Sequence, residues 1–183
     1  HSVPKNLSAP TRAEFRVKNS SNTTGESWQK ILLLCGLSLL ILRVLTVVLT
    51  TLNLGPDEAQ YWRWSTSFDW GYYSKPPMIA WVIGLETLIF GSNAEWVIRI
   101  GSPFFHLFAG VMLYCLGQHI WSVRAGVIAA LTYLLMPAVW LSSIIMSTDV
   151  QLMAFWSLSL YLLFRLRDRA GWKTGLTLGV SIG

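Results

Sequence analysis

The sequence predicts an all-α membrane protein, a multi-span helical bundle, on three observations. Of 183 residues, 53% are hydrophobic and only 13% charged, about half the charge that a soluble domain carries to cover its core. The mean hydropathy is +0.48. The apolar residues gather in runs of bilayer length, and the basic residues sit at the ends of those runs. An ordinary cytosolic domain, a disordered chain and a disulfide scaffold are thereby excluded. The net charge of +5 reads as topology-setting charge rather than as a nucleic-acid-binding face. Cys35 and Cys115 lie inside apolar runs and read as small buried hydrophobes.

Residues 1–27 are rich in Ser, Asn and Thr without apolar periodicity, and are expected to be a flexible cytoplasmic tail. They are no signal peptide, because the apolar run behind them is too long and has no small-residue cleavage site. Acceptor triplets for glycosylation begin at Asn6, Asn19 and Asn22, and matter only for a lumenal tail. The first transmembrane helix is placed in 28–54, its apolar run covering 31–54, long enough for a hydrocarbon core of about 30 Å. Residues 55–96 form the first outer loop. Residues 97–183 hold spans two to four, near 97–116, 123–141 and 150–164, and the start of a fifth from Thr174. Pro103 and Pro137 fall where neighbouring helices can repair a lost hydrogen bond. The chain starts without Met and stops inside an apolar run, so a truncated protein is expected.

Orientation follows from Lys and Arg. The tail, the loop at Arg124 and the segment Arg165, Arg167, Arg169 and Lys173 share one side, against Arg63, Lys75 and Arg99 on the other. The positive-inside rule puts the tail in the cytoplasm and 55–96 outside. Trp28, Trp121, Trp140 and Trp172 fall at span ends, where indole rings favour the interface.

The outer loop is the unusual segment. Structureless loops beyond about 15 residues are uncommon in compact domains, and this one holds Trp62, Trp64, Phe68, Trp70, Tyr72, Tyr73 and Trp81. Its second half, 78–90, is apolar but too short to span, and is read as a helix lying in the interface. The loop is therefore expected to be a structured, aromatic shelf with short interfacial helices.

A few charges remain for chemistry. Asp57 and Glu58 follow the first span. Asp57 reads either as a helix cap, answered by Gln60, or as a carboxylate held ionised at a helix start and able to take a proton from a hydroxyl. Lys75 precedes Pro76 and Pro77, and reads either as a snorkelling lysine or as an ammonium fixed at the depth of a lipid phosphate. Arg63, one or two turns after Asp57, has the same two readings. Asp149 opens the fourth span, with Thr148 and Gln151 able to form a capping box. The short apolar run behind it suggests a position somewhat below the outer surface, where ionisable groups are functional candidates. Arg43, near the middle of span one, must face the bundle, a carboxylate or a lipid phosphate. His106 and His119 read as structural. No metal-ligand spacing, Gly-rich phosphate loop or Ser-His-Asp set is present.

The order Gly-Pro-Asp-Glu-Ala-Gln-Tyr-Trp, Tyr-Tyr-Ser-Lys-Pro-Pro-Met-Ile-Ala-Trp, Glu-Trp-Val-Ile-Arg-Ile and Ser-Thr-Asp-Val resembles the N-terminal part of glycosyltransferase family 39. That group includes protein O-mannosyltransferases and the lipid A aminoarabinose transferase, enzymes of the GT-C fold. The resemblance covers about residues 31–183. It implies a cell-envelope enzyme of the bacterial inner membrane or an equivalent one. Such an enzyme moves a sugar from a polyprenyl-phosphate donor to a lipid or protein acceptor on the non-cytoplasmic face. It implies catalytic roles for Asp57 and Asp149 and a phosphate-side role for Lys75. Glu58, Arg63, Tyr72, Tyr73 and Arg43 are assigned to substrate binding with it, the aromatics holding isoprenoid and sugar faces. No residue is assigned to a metal, a divalent cation being the one cofactor left open, and no nucleic-acid partner is expected. The aminoarabinose branch has Glu before Lys-Pro-Pro, where this chain has Ser74. A transporter or flippase of a lipid-linked sugar, or a non-catalytic lipid-binding subunit, would use the same spans and Arg43 without needing paired carboxylates.

Overall fold

The computed structural model describes residues 12–168 and 171–182, with the backbone alone for 12–24. The described residues form helices and no strand, as an all-α membrane protein requires when every backbone group must be satisfied within its own segment. Helix α1 covers Arg12–Leu49, and its stretch Gly25–Leu49 is long and apolar enough to cross a membrane. The helix thus continues upstream of residue 28, where an irregular tail is expected. No proline interrupts 12–27, and adding a turn to an existing helix avoids the cost of nucleation. Leu33, Leu37, Ile41, Leu45 and Leu49 are exposed along α1, a face suited to lipid. Cys35 shares that exposure, so it is not the buried residue its apolar run suggests.

The outer loop folds into α2 (Pro56–Ser65), α3 (Met78–Phe90) and α4 (Glu95–Arg99). Pro56 stands at the first helical position of α2, where its missing N–H costs nothing. Helix α3 has 13 residues, about 20 Å and short of a hydrocarbon core. It ends at Gly91 in the left-handed conformation (φ 60°), which glycine adopts without a Cβ penalty.

Helix α5 (Gly101–Ile120) continues α4, and the combined stretch Glu95–Ile120 is the second one able to span a membrane by length and composition. The third expected span is divided by Pro137 into α6 (Val123–Leu135) and α7 (Pro137–Ser142). The proline has no N–H to continue the ladder and crowds the preceding turn. Arg43 makes the repair: its Nη2 donates to the carbonyl of Leu134, exposed by the break, and its guanidinium lies 5.7 Å from the Trp140 ring centroid. Helix α8 (Thr148–Asp168) has 21 residues and runs past Arg165, longer than the fifteen-residue apolar run alone suggests. Helix α9 covers Trp172–Ile182.

Helices α5 and α6 approach most closely where Gly117 meets Gly126. A Cβ on Gly117 would stand 2.7 Å from the Gly126 Cα, and one on Gly126 would stand 2.5 Å from the Tyr114 carbonyl oxygen. Small residues permit such backbone approach between membrane helices. At the same end, His119 Nε2 meets Asp168 Oδ2 at 2.8 Å, tying α5 to α8. His106 Nδ1 lies 2.8 Å from the Tyr133 hydroxyl, linking α5 to α6. Both histidines are structural here, as their isolation in the sequence implies.

Candidate functional site

The site is built where the segment after α1 turns into α2. Gly55 caps α2 in extended conformation, and the Glu58 carboxylate reaches back to its N–H at 2.9 Å. This N-terminal box uses Glu58, not Gln60: Pro56 starts the helix two residues earlier than an Asp57 cap would, which moves Glu58 to the third position. Asp57 is left in the first turn, exposed, with no hydrogen-bond or ion-pair partner among the described residues.

Glu58 points the opposite way and is 3% exposed. Arg99, equally buried, grips it as a fork, Nε to Oε1 at 2.8 Å and Nη2 to Oε2 at 2.7 Å. The Met146 N–H also donates to Oε1, at 3.0 Å. Arg99 also donates from Nη1 to the Leu52 carbonyl (2.9 Å) and from Nη2 to the Asn53 carbonyl (3.0 Å). Burial pushes the Glu58 carboxyl up, but the Arg99 hydrogen bonds, the Met146 and Gly55 amides and the Arg99 charge outweigh it and hold the group below its ordinary value. Both oxygens of Glu58, which the sequence assigns to substrate binding, thus accept from Arg99, Gly55 and Met146.

Asp149 lies in the first turn of α8 and is exposed. The answering Gln151 of the expected capping box is buried, with its Nε2 unpartnered among the described residues. The segment before α8 is pinned by Met146 to Glu58 and by the Ile145 carbonyl to Ser102 Oγ (2.8 Å). Tyr61, one turn after Asp57 and packed with Ile79, Ile83, Ile98 and Met146, registers both acids. Burial raises its phenol, and the negative charges of Asp57 and Asp149 raise it further. The charges of two carboxylates far apart in sequence thus both reach one buried ring.

The aromatic shelf follows α2. Trp64 and Tyr72 stack at 5.0 Å, and Trp70 meets Trp81 edge-on at 5.2 Å. The Tyr72 hydroxyl donates to the carbonyls of Trp64 (2.9 Å) and Ser67, and Trp81 Nε1 donates to the Asp69 carbonyl at 2.9 Å. Tyr72 therefore fastens the turn. Tyr73 and Trp70 stand out from it, 101% and 88% exposed. Lys75 and Arg63 are exposed and take no partner among the described residues. Arg43 is not on this surface: at 1% exposure it is enclosed by the bundle. Gly84 lets α3 lie close to the turn, since a Cβ there would stand 2.7 Å from the Phe68 ring.

Two further acids and bases escape the sequence reading. Arg99 counts there only as an outer-side charge, although an arginine at the start of an apolar helix needs a partner. Glu86, on α3, lies so close to Gly101 that a Cβ there would stand 2.0 Å from its Oε1. Burial pushes the Glu86 carboxyl up to about 8, against a smaller lowering by the Gly101 backbone. No group of three or more His, Cys, Asp or Glu side chains among the described residues is placed to hold a metal ion.

Fold and site together define a helical membrane protein with two exposed carboxylates at helix starts and an aromatic, basic loop between its first two long apolar helices. The chain belongs to the family described as dolichyl-phosphate-mannose-protein mannosyltransferase, which residues 74–183 match. It is similar to the lipid A galacturonosyltransferase RgtD of Rhizobium johnstonii, with 42% identity over 127 residues, covering 69% of this chain and 27% of that relative. The chain thus spans about a quarter of that relative's length. No solved structure matches it.

Proposed function

We propose that this chain is the N-terminal part of a membrane glycosyltransferase of the GT-C type, and that it contributes the reaction centre of that enzyme. The donor is a polyprenyl-phosphate-linked sugar and the acceptor a hydroxyl, with the tail cytoplasmic and the site on the opposite face. The similarity to a lipid A galacturonosyltransferase makes a glycolipid of the cell envelope the first acceptor to try. The observation that carries this reading is two exposed carboxylates, Asp57 and Asp149, whose charges both reach the buried Tyr61, in a chain of this family.

The acceptor oxygen forms a bond to the anomeric carbon while Asp57 takes its proton, a task that a solvent-facing, unpartnered carboxylate can perform. The bond from that carbon to the phosphate oxygen breaks, and its electron pair leaves with the polyprenyl phosphate. Lys75, with Arg63, stabilises the charge that grows there. Asp149 supplies the second carboxylate facing the sugar. Tyr73 and Trp70 offer apolar faces for the sugar ring and the isoprenoid. Arg43 acts from within the bundle, holding the broken α6–α7 helix in place.

The test uses membranes bearing the full-length protein, supplied either with a polyprenyl-phosphate sugar or with the matching nucleotide sugar. Transfer from the lipid-linked donor alone is expected. Transfer from the nucleotide sugar alone would overturn the donor assignment. Movement of the lipid-linked sugar across the bilayer with no transfer would establish the flippase reading instead.

A further inference from the structure

The family match leaves unexplained why a charged fork is buried against the segments that carry Asp57 and Asp149. Glu58 and Arg99 are each 3% exposed, and their contact joins four places in the chain. Arg99, the last residue of α4, ties that helix to the Leu52 and Asn53 carbonyls in the segment after α1. Glu58 binds Arg99 in α4, the Gly55 N–H at the head of α2, and the Met146 N–H just before α8. Its immediate neighbour in sequence is Asp57. Met146 stands less than one helical turn ahead of Asp149.

Cohesion alone does not account for such a pair. Replacing a buried ion pair with apolar side chains of similar volume is often neutral or stabilising, because desolvating two charges offsets most of their attraction. What the fork supplies that an apolar contact lacks is a single register. Each of its hydrogen bonds has a defined length and direction, and the Arg–carboxylate geometry is bidentate and planar. A slip of α2 against the α8 head breaks the Met146 bond and the fork together.

We propose that Glu58 and Arg99 are positioning residues: their buried fork fixes the spacing between the Asp57 and Asp149 carboxylates, and neither side chain touches substrate. This rests on the glycosyltransferase reading and deepens it, giving Glu58 a role other than substrate binding. A misplacement of about 1 Å in a reacting group can cost on the order of a hundredfold in rate, so the pair acts on turnover and not on donor affinity.

The experiment compares wild-type, Arg99→Lys, Glu58→Gln, Asp57→Asn and the doubles that combine Asp57→Asn with each of the first two. All are made in the full-length protein and assayed with a polyprenyl-phosphate sugar under single- and multiple-turnover conditions. Arg99→Lys keeps the charge and loses the fork; Glu58→Gln keeps the shape and one acceptor. Each is expected to lower kcat by about 10- to 100-fold, as losses of supporting contacts around a site do, with KM for the donor within about threefold. Because the pair acts through Asp57, neither is expected to lower the residual rate of Asp57→Asn further. A KM increase at unchanged kcat would overturn the proposal by making the pair a substrate contact. So would kcat within twofold of wild-type, or an equal loss in the Asp57→Asn background, which marks a merely structural role. Should Arg99→Lys lose its thermal transition, Glu58→Gln decides the matter. Full turnover by Asp57→Asn itself would instead overturn the underlying catalytic reading, and the pair's role with it.

Discussion

The corner beneath the outer loop and the shelf beside it carry the same kinds of residue and are built in opposite ways. In the corner, Glu58 and Arg99 are buried and bonded on every side, and Asp57 and Asp149 stand exposed on the frame they make. On the shelf, Tyr72 and Trp81 fasten the turn internally, while Tyr73 and Lys75 on it, and Arg63 on α2 before it, are exposed and take no partner among the described residues. The corner's buried pair is held by partners within this chain. The shelf presents side chains that only a ligand or a further part of the protein can engage. Groups that move protons need fixed placement, whereas groups that hold a long, flexible lipid phosphate can remain adaptable until it arrives.

That contrast can be broken first at the corner. Arg99→Ala leaves a buried carboxylate without its counter-charge, and is expected to destabilise the protein by about 3–5 kcal/mol, read as a lowered midpoint in thermal unfolding in detergent. A midpoint within one degree of wild-type would show that the frame is dispensable. A control of intermediate size lies outside both regions: Gly126→Ala forces α5 and α6 apart at the Tyr114 carbonyl, at a cost of about 1–3 kcal/mol. On the shelf the sign changes from stability to binding. Lys75→Ala is expected to leave stability within about 0.5 kcal/mol and to raise the donor KM by about tenfold, the loss of one charge-assisted contact. A large loss of stability there would mean that the shelf is as rigid as the corner.

A separate effect is a pH dependence. The Glu86 carboxyl is pushed up to about 8 by burial against Gly101, so it binds a proton more tightly in the folded protein than in the unfolded chain. Between about pH 4.5 and 8 the unfolded chain releases that proton while the folded one keeps it, and stability falls as pH rises. Glu86→Gln, which cannot ionise, should therefore gain on wild-type between pH 5 and pH 9 in thermal unfolding. A gap constant across that range would place Glu86 in a solvated setting.

Much of this was legible in the residues. Apolar runs and prolines located α1, the three short outer helices' territory and α5, and the Gly-Pro-Asp-Glu segment located the helix that carries Asp57. The break after Leu135 was visible as Pro137, but its repair by Arg43 was not. A local pattern shows that an arginine in an apolar helix needs an acceptor and does not name it. The same holds for Glu58: adjacent to Asp57 in sequence, it differs wholly in environment, since consecutive helical residues point about 100° apart. Its partner Arg99 and its second donor Met146 come from distant segments that only the packed bundle brings near. The upstream extension of α1 was hidden because its composition is polar, and polar composition argues against burial without arguing against a helix.

The division of labour between neighbouring acids is tested most directly by Asp57→Asn in the full-length protein, measured as single-turnover transfer from a polyprenyl-phosphate sugar alongside equilibrium binding of that donor. Losing the proton acceptor is expected to slow transfer by about 10²- to 10⁴-fold, with donor affinity within a few fold and the thermal midpoint unchanged. Transfer at a rate within a few fold of wild-type would contradict the account, and would move the reaction centre away from the corner that Glu58 and Arg99 hold together.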